Sequence, residues 1–151
     1  MQVSSTTKHV LVHGDVSPKN ILVGPCGPVF LDAECAWYGD PAFDLAFCLN
    51  RLLLKCLWTP LAAHGFLDCF QVMARAYLSG VAWERADAVE ARTARLLPGL
   101  LLARIDGKSP VEYVTASRDK DRVRRVARRL LVRPVDRLGA VSGAWAEELG
   151  L

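Results

Sequence analysis

Residues 13–20 read His-Gly-Asp-Val-Ser-Pro-Lys-Asn, and this stretch decides how the first third of the chain folds. The short apolar run 10–12 precedes it, and Gly14 and Pro18 interrupt regular structure within it. The pattern therefore predicts a strand that ends in a tight loop. Two oxygen-bearing side chains, Asp15 and Asn20, lie five positions apart on that loop and are the first candidate functional residues.

A β-hairpin is expected directly after the loop. The apolar runs 21–23 and 28–31 flank the turn residues 24–27, which read Gly-Pro-Cys-Gly. Asn20 stands at the entrance of this hairpin and Asp32 at its exit, so antiparallel pairing is expected to bring them together. We also expect the strand before Asp32 to be buried, in which case its carboxylate needs a partner or a metal.

The order of these polar groups is suited to phosphoryl transfer. Asp15 is the candidate general base that accepts a hydroxyl proton. Asn20 and Asp32 are candidate Mg²⁺ ligands, because hard cations prefer oxygen and Mg²⁺ needs few protein groups. Glu34 is a candidate second carboxylate ligand, and a surface role fits it equally well.

Other interpretations of the same residues stay open. Asp15 and Asn20 are also common turn residues. A metal-dependent hydrolase using Asp15, Asp32 and Glu34 is a further alternative. His13 is predicted to brace the loop by hydrogen bonding. Asp44 is predicted to give structural support, either to the first turn of a helix or by reaching back to the loop.

The remainder of the chain has helical periodicity. Asp40 is a suitable N-cap and Pro41 suits a first helical turn. The fold class predicted is α+β and mostly helical, a single domain over 1–151 with a β-hairpin insert and a helical body. Helices are expected at 41–57, 59–78, 83–105 (with a kink or interruption at Pro98-Gly99), from 110 to 114, at 118–131 and at 134–149.

Composition narrows the classes of function. Hydrophobic residues make up 52% of the 151 residues, which is ample for a core, and the net charge of +3 is too small to indicate nucleic acid. No apolar run is long enough to span a membrane. Five cysteines without a Cys-x-x-Cys pair indicate a reduced, cytoplasmic protein without a disulfide framework or a zinc site. The arginine-rich stretch 118–137 is interpreted as the solvated face of an amphipathic helix, with a patch for an acidic partner or nucleic acid as the alternative.

Three motifs in order resemble the catalytic lobe of the aminoglycoside phosphotransferase and choline kinase-like family, distant relatives of protein kinases. His13-Gly14-Asp15 with Asn20 resembles its catalytic loop, and Leu31-Asp32 resembles its metal-binding segment. Gly39-Asp40-Pro41 with Asp44-Leu45-Ala46 resembles the motif that follows. Asp32-x-Glu34 is also similar to methylthioribose kinase. The resemblance covers about residues 10–57.

This resemblance implies a protein-kinase-like C-terminal lobe, with Asp15 as base and Asn20 and Asp32 as Mg²⁺ ligands. It implies ATP or GTP as phosphoryl donor and a small-molecule hydroxyl as acceptor. The amino-terminal nucleotide lobe of the family is not found in the 151 residues, so we expect the lobe alone to be inactive or impaired. A separate amino-terminal lobe, or a homo-oligomer formed through the exposed lobe face, is then the expected partner. The alternative is a catalytically silent helical binding or scaffold module derived from such a lobe.

Overall fold

Two small antiparallel sheets precede a helical body in the computed structural model, which describes residues 10–151. Strand β2 (Ile21–Gly24) pairs with β3 (Gly27–Phe30), with Ile21 opposite Phe30, so the predicted hairpin is confirmed. Strand β1 (Val10–Val12) pairs with β4 (Trp37–Gly39), which the sequence did not predict. Three residues ending in glycine carry little strand signal, and β4 is defined by its pairing with β1.

The hairpin is exposed, which corrects the expectation of a buried strand before Asp32. Leu22, Val29 and Phe30 are each more than half exposed, and Asp32 itself is exposed. The two strands of the hairpin pair only with each other, and this pairing alone covers neither face of a two-stranded sheet. The apolar side chains of these strands therefore did not indicate burial.

Five helices form the body, and the resulting α+β, mostly helical class is as predicted. Their bounds are α1 Ala42–Trp58, α2 Ala63–Ser79, α3 Ala86–Asp106, α4 Ser117–Val132 and α5 Leu138–Leu149. Short 3₁₀ turns occur at Pro18–Asn20, Ala33–Cys35 and Pro60–Ala62.

Two details of the helix prediction need comment. Helix α3 continues through Pro98, where Leu97 and Leu101 are buried, so the helix is not interrupted at Pro98-Gly99, and the kink given as the other possibility stays a prediction. Residues 110–114 form a turn instead of a helix. There the Val111 N–H donates to the Arg104 carbonyl at 2.8 Å, and Val111 and Val114 are buried.

Helix α1 is the centre of the core, with 11 of its 17 residues buried. It packs against α2 and α3, and α4 and α5 close the remaining sides. The largest fully buried side chains from four helices are Leu49 and Leu53 (α1), Phe70 (α2), Leu97 (α3) and Trp145 (α5). Since α1 begins next to the sheets, packing of this core also fixes the position of the helix turn that lies under the 13–20 loop.

The arginines of α4 form ion pairs with neighbouring helices. Arg124 contacts Asp106 of α3 at 2.6 Å, and Arg125 contacts Glu148 of α5 at 2.6 Å. Arg129 contacts Glu147 at 3.1 Å. These contacts agree with a solvated amphipathic face whose charges also link the helices.

All five cysteine thiols are free. Cys48 and Cys56 are buried, and burial raises the pKa of each to about 11. Among residues 10–151, no helix combines the length and apolarity that crossing a membrane would require.

Candidate functional site

The 13–20 loop, here called the Asp15 loop, is held by the first turn of α1. The backbone N–H groups of His13 and Gly14 donate to the two carboxylate oxygens of Asp44, at 2.7 and 2.9 Å. Of the two roles left open for Asp44, the structure selects contact with the loop. One carboxylate thereby links the buried helix to the turn that precedes Asp15.

Gly14 lets the chain turn between β1 and Asp15. It has a φ of +87°, and an added Cβ would lie 2.6 Å from the Cys35 carbonyl oxygen and 2.6 Å from the Trp37 ring. Glycine adopts such a conformation without steric penalty and leaves room for this approach. The β1–β4 pairing is what brings Cys35 and Trp37 so close.

Asp15 and Asn20 are in direct contact. The Asn20 Nδ2 donates to the Asp15 carboxylate at 2.8 Å and to the Asp15 backbone carbonyl at 3.0 Å. The Asp15 N–H donates to His13 Nδ1 at 3.3 Å, while His13 Nε2 is buried and has no hydrogen-bond partner in residues 10–151. The Asp15 side chain is about a quarter exposed (26%), so its carboxylate is oriented by the protein and still reachable.

Asn20 also joins the loop to the hairpin. It is buried, and its backbone carbonyl accepts a hydrogen bond from the Leu31 N–H at 2.9 Å. That bond places Asp32 one residue beyond the position opposite Asn20. Asp32 has a φ of +63°, the one positive value among non-glycine residues in the described part of the chain. Such backbone conformations concentrate at functional sites.

The oxygen donors at this edge are suitable for a hard cation. The Asn20 amide nitrogen faces Asp15, which leaves its amide oxygen as the available ligand, and the carboxylates of Asp32 and Glu34 are exposed. Mg²⁺ binds well through one or two carboxylates with water in the remaining positions. Within residues 10–151, no three His, Cys, Asp or Glu side chains gather into a metal centre.

Two basic residues of α1, Arg51 and Lys55, lie beside the Asp15 loop, and the sequence interpretation missed them. Arg51 NH2 is 3.9 Å from the Asp15 carboxylate. Lys19, in the loop itself, has its Nζ 3.6 Å from the same carboxylate. Lys55, one helical turn after Arg51, lines the same side. The i, i+4 spacing of Arg51 and Lys55 indicates that both side chains lie on one face of α1, but it does not indicate that this face contacts the Asp15 loop.

An apolar cavity of about 410 Å³ lies on another side of the loop. Its lining includes Leu11, Ile21, Phe30, Leu45 and Met73. Apolar side chains are also exposed on and around the two sheets, and we call this set the strand face: Leu11, Leu22, Val23, Val29, Phe30, Leu31, Trp37 and Tyr38. Large exposed apolar side chains concentrated in one region are typical of a surface that another group or protein covers.

The start of α1 is fixed by a charge network. The Asp40 carboxylate accepts the Ala42 N–H at 3.0 Å and contacts Arg92 of α3, whose guanidinium also binds Glu84 at 2.7 Å. The residue directly before α1 is Pro41, so the N-cap prediction is off by one residue, but the Asp40 side chain does bind the first N–H of the helix. Arg92 is a support that the sequence did not indicate. Because Asp44 follows one turn later, this network also positions the group that holds the Asp15 loop.

Comparison with known proteins gives one finding for the segment just described. No curated protein matches the chain. Residues 3–55 of the 151 match the Phosphotransferase enzyme family, APH. The matched segment contains the Asp15 loop, the hairpin, Asp32 and most of α1. The part of the chain that builds this site is therefore similar to a phosphotransferase family, whereas residues 56–151 lie outside the match.

Proposed function

We propose that this chain is the catalytic lobe of a small-molecule kinase that transfers the γ-phosphoryl group of ATP or GTP to a hydroxyl. The observation that carries the proposal is the Asn20 side chain, which donates to Asp15 while its backbone receives the Leu31 N–H. One residue thus connects the candidate base to the hairpin that ends at Asp32. The similarity of residues 3–55 to phosphotransferases supports the same assignment.

In this proposal Asp15 is the general base. Its carboxylate orients the acceptor hydroxyl and takes its proton as the oxygen attacks phosphorus. The contact from Asn20 and the Asp44 hydrogen bonds hold the Asp15 loop in one geometry, which lowers the entropic cost of aligning the reactants. Positioning of this kind supplies much of the rate enhancement in phosphoryl transfer.

Mg²⁺ with the nucleotide would be held by Asn20 and Asp32, with Glu34 as a second carboxylate. When bound, the ion neutralises charge on the transferring phosphoryl group. The Asp32-x-Glu34 pair is the feature that favours a relationship to methylthioribose kinase within the wider choline kinase-like group. The exposure of both carboxylates leaves them accessible to a nucleotide arriving from outside the lobe.

A second lobe is part of the proposal. Residues 10–151 contain two two-stranded sheets and, among them, no additional strand–loop–strand element to cover the phosphates. We assign that role to an amino-terminal lobe seated on the strand face, and a second copy of the chain is the alternative occupant. Without such a cover the lobe is expected to bind nucleotide weakly and to turn over slowly.

Nucleotide binding tests the metal assignment. Isothermal titration of the chain with ATP is expected to give Mg²⁺-dependent binding at millimolar affinity or tighter, and Asp32→Asn is expected to abolish the Mg²⁺ dependence. Asp68→Asn, an exposed carboxylate on α2, is the matched control and should change nothing. Absence of Mg²⁺-dependent binding in the wild-type chain would instead favour the silent-module alternative.

Turnover tests the base. In the chain completed by an amino-terminal lobe, Asp15→Asn is expected to lower phosphoryl transfer from labelled ATP by about 10²–10⁴-fold, the usual contribution of a general base. The Kd for Mg-ATP is expected to stay within about twofold, since the base contacts the acceptor. Near-normal turnover in this variant would refute Asp15 as the base.

A further inference from the structure

A second cavity, of about 360 Å³, lies directly beside the Asp15 loop. It is lined by Ser17, Pro18, Lys19, Arg51, Lys55 and Tyr113, and we call it the cationic pocket. Three of these six residues are basic and none is acidic. The nearest carboxylate contact to its cations is Asp15 itself, at 3.6 Å from Lys19 and 3.9 Å from Arg51.

Two hydrogen-bonding groups of this pocket find no partner among residues 10–151. Ser17 is 1% exposed, and no described residue forms a hydrogen bond with its hydroxyl. The Arg51 side chain is 13% exposed, and its Nε has no hydrogen-bond partner among residues 10–151. Its guanidinium forms an ion pair with Asp15 at 3.9 Å and lies over the Phe47 ring, 5.2 Å from the centroid, so its charge is paired while its Nε–H donor is not. Buried polar groups are nearly always satisfied. This set of donors therefore points to an acceptor group that comes from outside the chain.

Tyr113 adds a further hydrogen-bond donor to the pocket, and basic residues near it add positive charge. Within the described part of the chain the Tyr113 hydroxyl has no hydrogen-bond partner, and Arg51 and Arg104 lie near enough to offset part of the rise that burial causes in its pKa. Lys55 Nζ lies over the Trp58 ring, 4.6 Å from its centroid, so its charge faces aromatic surface instead of a carboxylate. Burial lowers the pKa of Arg104, and the neighbouring Arg51 charge lowers it further. Like charges held this close are stabilised by a bound anion.

We propose that the cationic pocket binds an anionic group, a carboxylate or a phosphate, on the alcohol that Asp15 deprotonates. This inference rests on the proposed function, which it extends from any hydroxyl acceptor to an anionic one. Arg51 and Lys19 both lie within 4 Å of the Asp15 carboxylate, so the anion and the reacting hydroxyl are expected to be only a few bonds apart. Short hydroxy acids and phosphorylated polyols satisfy that requirement, whereas polycationic acceptors do not.

Direct binding tests the pocket without requiring catalysis. The full chain is titrated, at constant ionic strength, with inorganic phosphate, glycerate and glycerol 3-phosphate, and with glycerol as the neutral control. Amide shifts in ¹H–¹⁵N spectra report the Kd. We expect the anions to bind with shifts at Ser17 and Arg51, and glycerol not to bind. A preference for glycerate or for the two phosphates identifies which anion the acceptor carries.

Two variants localise the binding. Arg51→Gln is expected to weaken anion binding about tenfold or more, the size of one charge-assisted hydrogen bond. Lys55→Gln gives a second test if Arg51→Gln fails to fold. Arg128→Gln, an exposed arginine on α4, removes the same net charge outside the pocket and should leave the Kd unchanged.

The outcomes separate this inference from the proposed function. If Mg-ATP binds but no anion does, or if Arg51→Gln binds anions as tightly as wild type, the anionic acceptor is wrong and the kinase assignment stands. If Mg-ATP displaces phosphate from Arg51, the pocket serves the donor and the inference is overturned. If anions bind at Arg51 but Mg-ATP does not bind at all, the pocket stands as an anion site and the proposed function fails.

Discussion

At the scale of one residue, Gly14 makes the Asp15 loop possible, because its φ of +87° and the close Cys35 carbonyl exclude a side chain. Gly14→Ala is expected to destabilise the fold by about 1–3 kcal/mol, the cost of holding a residue in a disfavoured conformation. Urea unfolding followed by circular dichroism measures this change.

Gly143→Ala is the matched control for that substitution. Gly143 lies in α5 with open space around its Cα, so alanine is expected to stabilise the protein by roughly 0.5–1 kcal/mol. Two glycine-to-alanine changes should therefore have opposite signs. A stabilising effect at position 14 would contradict the conformation described here.

At the scale of an element, helix α1 positions the Asp15 loop through Asp44. Asp44→Ala removes the acceptor of both the His13 and Gly14 N–H groups and is expected to lower the free energy of unfolding by about 3 kcal/mol. Hydrogen exchange of these two amides should accelerate beyond the change in global stability, because the loop loses its tether before the helix unfolds.

Asp87→Ala provides the comparison, since Asp87 also lies in the first turn of a helix but is exposed and pairs with Arg85, two residues before it. Little change in stability is expected there. Equal effects at positions 44 and 87 would mean that Asp44 acts only through the helix dipole.

At the scale of the whole molecule, Arg92 connects α3 to the start of α1. Arg92→Met leaves the Asp40 carboxylate, whose side chain is 2% exposed, without its guanidinium, and about 3–5 kcal/mol of stability should be lost. Arg95→Met breaks the exposed pair with Asp136 and should change stability by less than about 1 kcal/mol. Thermal unfolding of both variants measures the contrast, and similar losses would show that the Arg92 network does not hold the helices together.

Much of the local structure could be predicted because its signals are local. Turn residues 24–27 between apolar runs led to the hairpin, and Asp40-Pro41 before a helical periodicity led to the start of α1. The errors have non-local causes. Exposure of β3 depends on what packs over it, and the 110–114 turn depends on the hydrogen bond from Val111 to Arg104.

The sequence by itself determined the hairpin and the contact between Asp15 and Asn20, because neighbours close in the chain specify them, and its helical periodicity determined the α+β, mostly helical class. Only the tertiary structure decided that β4 pairs with β1, that Asp44 holds the Asp15 loop, and that Arg51 and Lys55 stand beside Asp15. Those contacts join residues about 25 or more positions apart, or depend on which face α1 turns to the loop. Packing of the helical core determines these contacts and the orientation of α1, and no periodicity in the sequence specifies that packing.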